Sequence, residues 1–97
     1  MKNDRKAQIL NAAMAIAQTA GYSRITLQEV ARQAGCTHGL VLYYFSTIVQ
    51  LRRAIMSEAI RTRDAVILAQ GLAIGDSKAK RAPPDLKAAA AAYLMGA

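Results

Sequence analysis

Apolar residues recur along this chain at helical spacing, in blocks divided by short polar or glycine-bearing breaks. In residues 4–20, Ile9, Ala12, Ala13, Ile16 and Ala20 form one stripe, the mark of an amphipathic helix. Asn3 or Asp4 can cap its start and Gly21 can end it. Tyr22 and Ile25 follow in the connection, placed to pack under the helix end. Thr26-Leu27-Gln28-Glu29 fits the capping-box pattern of a hydroxyl residue and, three positions on, an acid or amide. A short second helix follows, with Leu27, Val30, Ala31 and Ala34 on its apolar face, and Gly35 stops it. Cys36 falls in the turn as a small hydrophobe, and Thr37 caps a third helix over 38–44, with Val41 and Phe45 as its core positions. The spacing then predicts one long helix over 47–70, capped by Ser46 or Thr47. Ile48, Leu51, Ile55, Ala59 and Ile60 supply its inner face. Arg52, Arg53, Glu58, Arg61, Arg63 and Asp64 supply a charged, solvated one. Toward its end Val66, Ile67 and Leu68 are consecutive, so the pattern turns apolar all round and calls for burial. Gly71 and Gly75 bracket a break. A polar, basic loop runs over 75–84, and a last Ala-rich helix begins near Pro84 and Asp85.

No stretch alternates with the period of a strand, so the expected fold class is all-α. A short helix, a glycine turn and another short helix make the helix-turn-helix pattern, in which the later helix projects outward. The expected architecture is a homeodomain-like three-helix head over 1–46, a linking helix over 47–70, and a basic loop with an Ala-rich helix over 71–97. No internal repeat is visible.

Composition narrows the functional classes. The chain has 97 residues, room for one domain. Its hydrophobic fraction is 54%, but 21 of those residues are Ala, which favours helix while burying little. Thirteen basic and six acidic residues give a net charge of +7, which points to a polyanionic partner. A single Cys and a single His exclude an intramolecular disulfide framework and a self-contained zinc site. No signal-peptide pattern is present, and no run approaches the roughly 18 apolar residues of a spanning helix. A cytoplasmic location is expected, with no membrane partner and no cofactor. Paired carboxylates, a phosphate-cradling Gly-rich loop and a nucleophile–base pair are all missing from the sequence, so no enzymatic activity is expected.

The candidate chemistry gathers between residues 24 and 44. Thr26 and Thr37 read first as helix caps, a role compatible with holding a phosphate at the same helix start. Arg24 stands just before the second helix as a phosphate candidate. Gln28 lies on the exposed side of its turn, within reach of a base edge or a phosphate. His38 has no Asp, Cys or second His nearby in sequence, so a groove contact suits it better than catalysis or metal ligation. Gly39 either allows close approach of backbone to DNA or avoids a clash in the turn. Leu40 and Leu42 are candidates for apolar contact with a thymine methyl, Leu40 above all. Tyr43 and Tyr44 carry hydroxyls that can reach phosphates, or one of them is core with its tip at the surface. Arg5, Lys6, Lys78, Lys80 and Arg81 are less specific.

The residues Gly21-Tyr22, Thr26, Val30-Ala31, Ala34-Gly35, Thr37, Gly39, Leu40-Val41, Tyr43-Tyr44-Phe45 and Leu51, with "ILNAAMAIAQTAGY" before them, resemble the TetR family of bacterial transcriptional repressors over about residues 5–56. The resemblance implies a three-helix DNA-binding head, a homodimer on a palindromic double-stranded DNA operator, and release by a small inducer held in a larger body. Two departures stand out. The family usually has a Lys where "FSTIVQL" carries Ile48, so one charge-assisted phosphate contact is missing. The chain also ends at Ala97, short of a full regulatory body, so an inducer is expected only if a longer chain exists. The alternative reading is an interaction protein that pairs through its fourth and C-terminal helices with another regulator subunit.

Overall fold

A computed structural model describes residues 4–95. Its elements are α1 (Arg5–Ala20), a 3-10 turn (Tyr22–Arg24), α2 (Leu27–Ala34), α3 (His38–Phe45), α4 (Ile48–Arg61), α5 (Ala65–Ala73), α6 (Ser77–Lys80) and α7 (Pro84–Leu94). The fold is the expected all-α, helix-turn-helix class.

The helix starts are set by local chemistry. Asp4 accepts from the Ala7 amide, Thr26 from Glu29, Thr37 from Leu40 and Thr47 from Gln50, each satisfying one amide that the helix itself leaves unbonded. The Thr26 capping box is only half formed. Glu29 N–H donates to Thr26 Oγ1 at 3.2 Å, while the Glu29 carboxylate reaches the Thr26 hydroxyl, also at 3.2 Å. Gly35 ends α2 in the left-handed conformation, φ 71°. There the Cys36 amide bonds back to the Ala31 carbonyl and the Gly35 amide to Arg32, a Schellman turn.

One core cluster holds the helices together. Ile9, Ala13 and Ala17 of α1 meet Val30 of α2, Val41 and Phe45 of α3, and Leu51 and Ile55 of α4. The same cluster continues through Met56 and Ala59 into Ile67 and Leu68 of α5 and Leu86 and Ala90 of α7. Polar ties join the ends. Gln70 Nε2 of α5 donates to the Ala17 carbonyl at 2.9 Å, the Tyr22 amide donates to Gln70 Oε1, and Gln18 Nε2 donates to Asp64 Oδ2 at 2.6 Å.

The expected single helix over 47–70 is two helices. It stops at Arg61, and Arg63 takes a left-handed φ of 59°. The Asp64 amide bonds the Ala59 carbonyl and the Arg63 amide bonds Ile60, so this is a second Schellman turn with Arg where Gly is usual. Asp64 then caps α5, accepting from Val66 and Ile67. The expected break at Gly71 is also absent. Gly71 lies buried inside α5, and the chain turns at Gly75, φ 78°. The basic stretch after it contains α6 rather than an extended loop.

Candidate DNA-binding face

The face is built by α2 and α3 with the first two turns of α4. Burial around α3 follows its helical repeat. Val41 and Phe45 are buried, and Leu40 and Tyr44 are half-buried against the core. His38, Gly39, Leu42 and Tyr43 are exposed, Leu42 at 38% and Tyr43 at 78%. Positions 38 and 42, and 39 and 43, are one turn apart, so the four make a continuous outer stripe. The helix has eight residues and is about 12 Å long.

Of the two leucines it is Leu42 that faces outward. Leu40, expected to stand exposed beside a thymine methyl, is half-buried and packs on the core, on the flank of α3 that it shares with Tyr44 four residues on. Tyr44 lies on the same half-buried strip and braces Tyr43. Their rings meet edge to face, 5.1 Å between centroids at 84°, a favoured arrangement of aromatic quadrupoles. At the far end of α3 the Lys6 ammonium lies 5.6 Å from the centre of the Phe45 ring, within cation–π range.

A groove of about 370 Å³ opens between the starts of α2, α3 and α4. Thr26 and Gln28 line it from α2, His38 from α3, and Ile48 and Arg52 from α4. The structure thus brings together three of the residues singled out in the sequence, from segments ten residues apart. Arg24 and Thr37 are exposed at the neighbouring turns.

Arg52 does not lie on the solvated face expected from the sequence. It is half-buried, four residues beyond Ile48 on the same side of α4, and lines the same groove. Its Nη2 donates to the Ser23 carbonyl at 3.4 Å, while its Nε is buried without a partner. The signal in the sequence was the i, i+4 spacing from Ile48, where a Lys was missed. One turn along, a guanidinium faces the same opening.

Among the described residues no group of three or more His, Cys, Asp or Glu could hold a metal ion, and no helix is long and apolar enough to cross a membrane. Cys36 is a free, half-buried thiol. The stripe and groove carry hydroxyls, an amide, an imidazole and one guanidinium, which can donate to phosphates and read base edges.

Compared with protein families, residues 9–55 match the one described as bacterial regulatory proteins, tetR family. Neither the curated proteins nor the solved structures gave a match.

Proposed function

The chain carries the N-terminal DNA-binding domain of the TetR family of bacterial regulatory proteins, and from that premise we propose that it is a sequence-specific repressor acting through α3. The coarse function follows from the family: a TetR-type DNA-binding transcription regulator. The finer reading is that α3 enters the major groove of a palindromic operator, that the protein binds as a homodimer, and that occupancy excludes transcription.

The observation that carries this reading is the outer stripe of His38, Gly39, Leu42 and Tyr43, backed by buried Val41 and Phe45. A B-DNA major groove is about 12 Å wide and admits such a helix. His38 and Gln28 offer hydrogen bonds to base edges, Leu42 an apolar contact with a thymine methyl, and Gly39 room for close approach. Thr26, Thr37, Arg24, Tyr43 and Arg52 serve phosphates. Leu40 and Tyr44 act mainly by seating α3 on the core.

Anisotropy titrations against a palindrome selected from random sequence, and against an unrelated duplex, test the proposal. The selected site binds much more tightly at moderate salt. With about two phosphates neutralised per head, by Arg24 and Arg52, log K falls with log salt at a slope of about −1.8 per subunit. Equal affinity for both duplexes rules out sequence-specific recognition.

Pairing through the C-terminal part is the second reading, favoured by one feature. Tyr93, Leu94 and Met95 at the end of α7 are exposed at 51%, 49% and 86%, an apolar tip that suits a partner chain. The two readings are compatible, since a dimer places two heads on two half-sites. Light scattering tests the pairing: a strict monomer on and off DNA removes it, and the homodimer with it.

A further inference from the structure

A polar depression of about 250 Å³ lies where α4 meets α6, next to a larger hollow that Arg53 and Lys78 also line with Tyr44 and Phe45 of α3. It is lined by Arg53 of α4 and by Asp76, Ser77, Lys78 and Arg81 around α6. Three cations therefore converge on one small concavity, and Lys78 is half-buried there. The ion pairs among the described residues are Arg61 with Glu58 and Arg63 with Asp85, so none of the three is neutralised by a carboxylate.

The single acid in the depression, Asp76, leaves three cations against one anion there, but its oxygens are turned to other donors. Asp76 Oδ1 lies 3.3 Å from the Tyr22 hydroxyl, and Oδ2 accepts from the Ala79 amide at 2.9 Å. Like charges held together in a concave, low-dielectric wall raise the local positive potential and concentrate small anions. Guanidinium groups match phosphate oxygens with paired hydrogen bonds, and an ammonium adds a point charge. From this geometry we infer that the α4–α6 depression is a binding site for a small phosphate-bearing ligand, held by Arg53, Lys78 and Arg81 with the Ser77 hydroxyl.

A duplex fits the place less well. Arg53 is five residues beyond Ile48, so it points about 140° around α4 from the groove beside α3. The depression shares no lining residue with that groove. It is concave and small, the shape of a site for a headgroup rather than for a rod. A ligand there would tie α4, which carries the head, to α6. This inference does not depend on DNA binding.

The test is a titration with inorganic pyrophosphate at constant ionic strength, followed by amide chemical shifts and by melting temperature. Saturable shifts at Arg53, Ser77, Lys78 and Arg81, with a raised melting temperature, are expected. Arg53→Gln and Lys78→Gln each weaken binding about tenfold or more, as loss of a hydrogen bond to a charged group does. Arg32→Gln, exposed on α2 and outside the depression, binds as the parent does. Circular dichroism checks each variant's helicity, and Arg81→Gln gives the same reading should either of the first two unfold. Shifts that grow linearly without saturating, or unchanged binding in Arg53→Gln, overturn the inference. So does a protein blind to pyrophosphate whose Arg53→Gln variant loses affinity for duplex, which would assign the cluster to DNA.

Discussion

Tyr43 stands 78% exposed beside Tyr44, whose ring braces it edge to face. An aromatic so exposed stabilises the fold little by burial, so its proposed phosphate contact can be tested with little effect on stability. Tyr43→Phe removes only the hydroxyl. If that group donates to phosphate, operator affinity falls roughly tenfold, the worth of one hydrogen bond to a charged group, while the melting temperature stays put. Unchanged affinity would remove Tyr43 from the interface. Three residues on, Ser46 joins α3 to α4 at φ 60°, ψ −57°, with the Thr47 amide bonded to the Phe45 carbonyl. This is a γ-turn of the strained hand, in a region that glycine enters without a Cβ penalty. Ser46→Gly should therefore raise stability by about 1 kcal/mol in a denaturant melt. A loss of stability would mean that the Ser46 side chain holds the turn.

At the scale of elements, a tight junction lies at Gly71, where α5 passes between α4 and α6. A Cβ built there meets Met56 Cε of α4 and comes within 3.0 Å of Ala79 Cβ of α6. Both are fully buried; the flexible methionine end can shift within the core, but Ala79 has no side-chain torsion with which to yield. Gly71→Val should cost about 2 kcal/mol of stability, overpacking outweighing any gain in helix propensity; no change in urea midpoint would show that α5 and α6 can separate. In the sequence this glycine read as a helix end, because an apolar-flanked Gly near the end of a pattern signals a terminus equally well. The break that does occur, at Arg63, was hidden for the opposite reason. An arginine occupies the left-handed position, and no glycine announces it. Two traces were nevertheless present: Asp64 as a capping residue, and the shift of the apolar stripe into consecutive Val66, Ile67 and Leu68. The head was legible because its caps are residues of the conventional types, Thr26 and Thr37 at helix starts and Gly35 at a helix end, set at the expected spacing. Within α3 the repeat separated Val41 and Phe45 from the outer stripe. It did not tell that Leu40 leans inward, since a half-buried position depends on what α1, α2 and α4 put beside it. Arg52 escaped for the same reason.

At the scale of the whole molecule, the question is what joins the DNA-binding helices to the helices behind them. Tyr22 is central to that join. It is 2% exposed, its amide bonds Gln70 of α5, and its hydroxyl lies 3.3 Å from Asp76 Oδ1 and 3.4 Å from the Arg52 carbonyl. Burial, with the nearby Asp76 carboxylate, pushes the Tyr22 phenol up from 10.0 to about 12, against a smaller opposing pull from Arg52. The folded state therefore keeps its proton when the unfolded chain has lost it. The contribution is fully present below pH 10 and is lost as pH rises towards 12. At neutral pH Tyr22→Phe loses about 1 kcal/mol, the worth of a hydrogen bond. Above pH 10 the parent's advantage over that variant shrinks, because only the parent's unfolded state gains from ionising Tyr22. Denaturant melts of the two proteins from pH 8 to pH 11.5 read this directly. Parallel curves would mean that the hydroxyl ionises as readily in the folded protein as in the unfolded chain, and that the head is held to α5 and α6 by apolar packing and the Gln70 and Asp64 bonds alone.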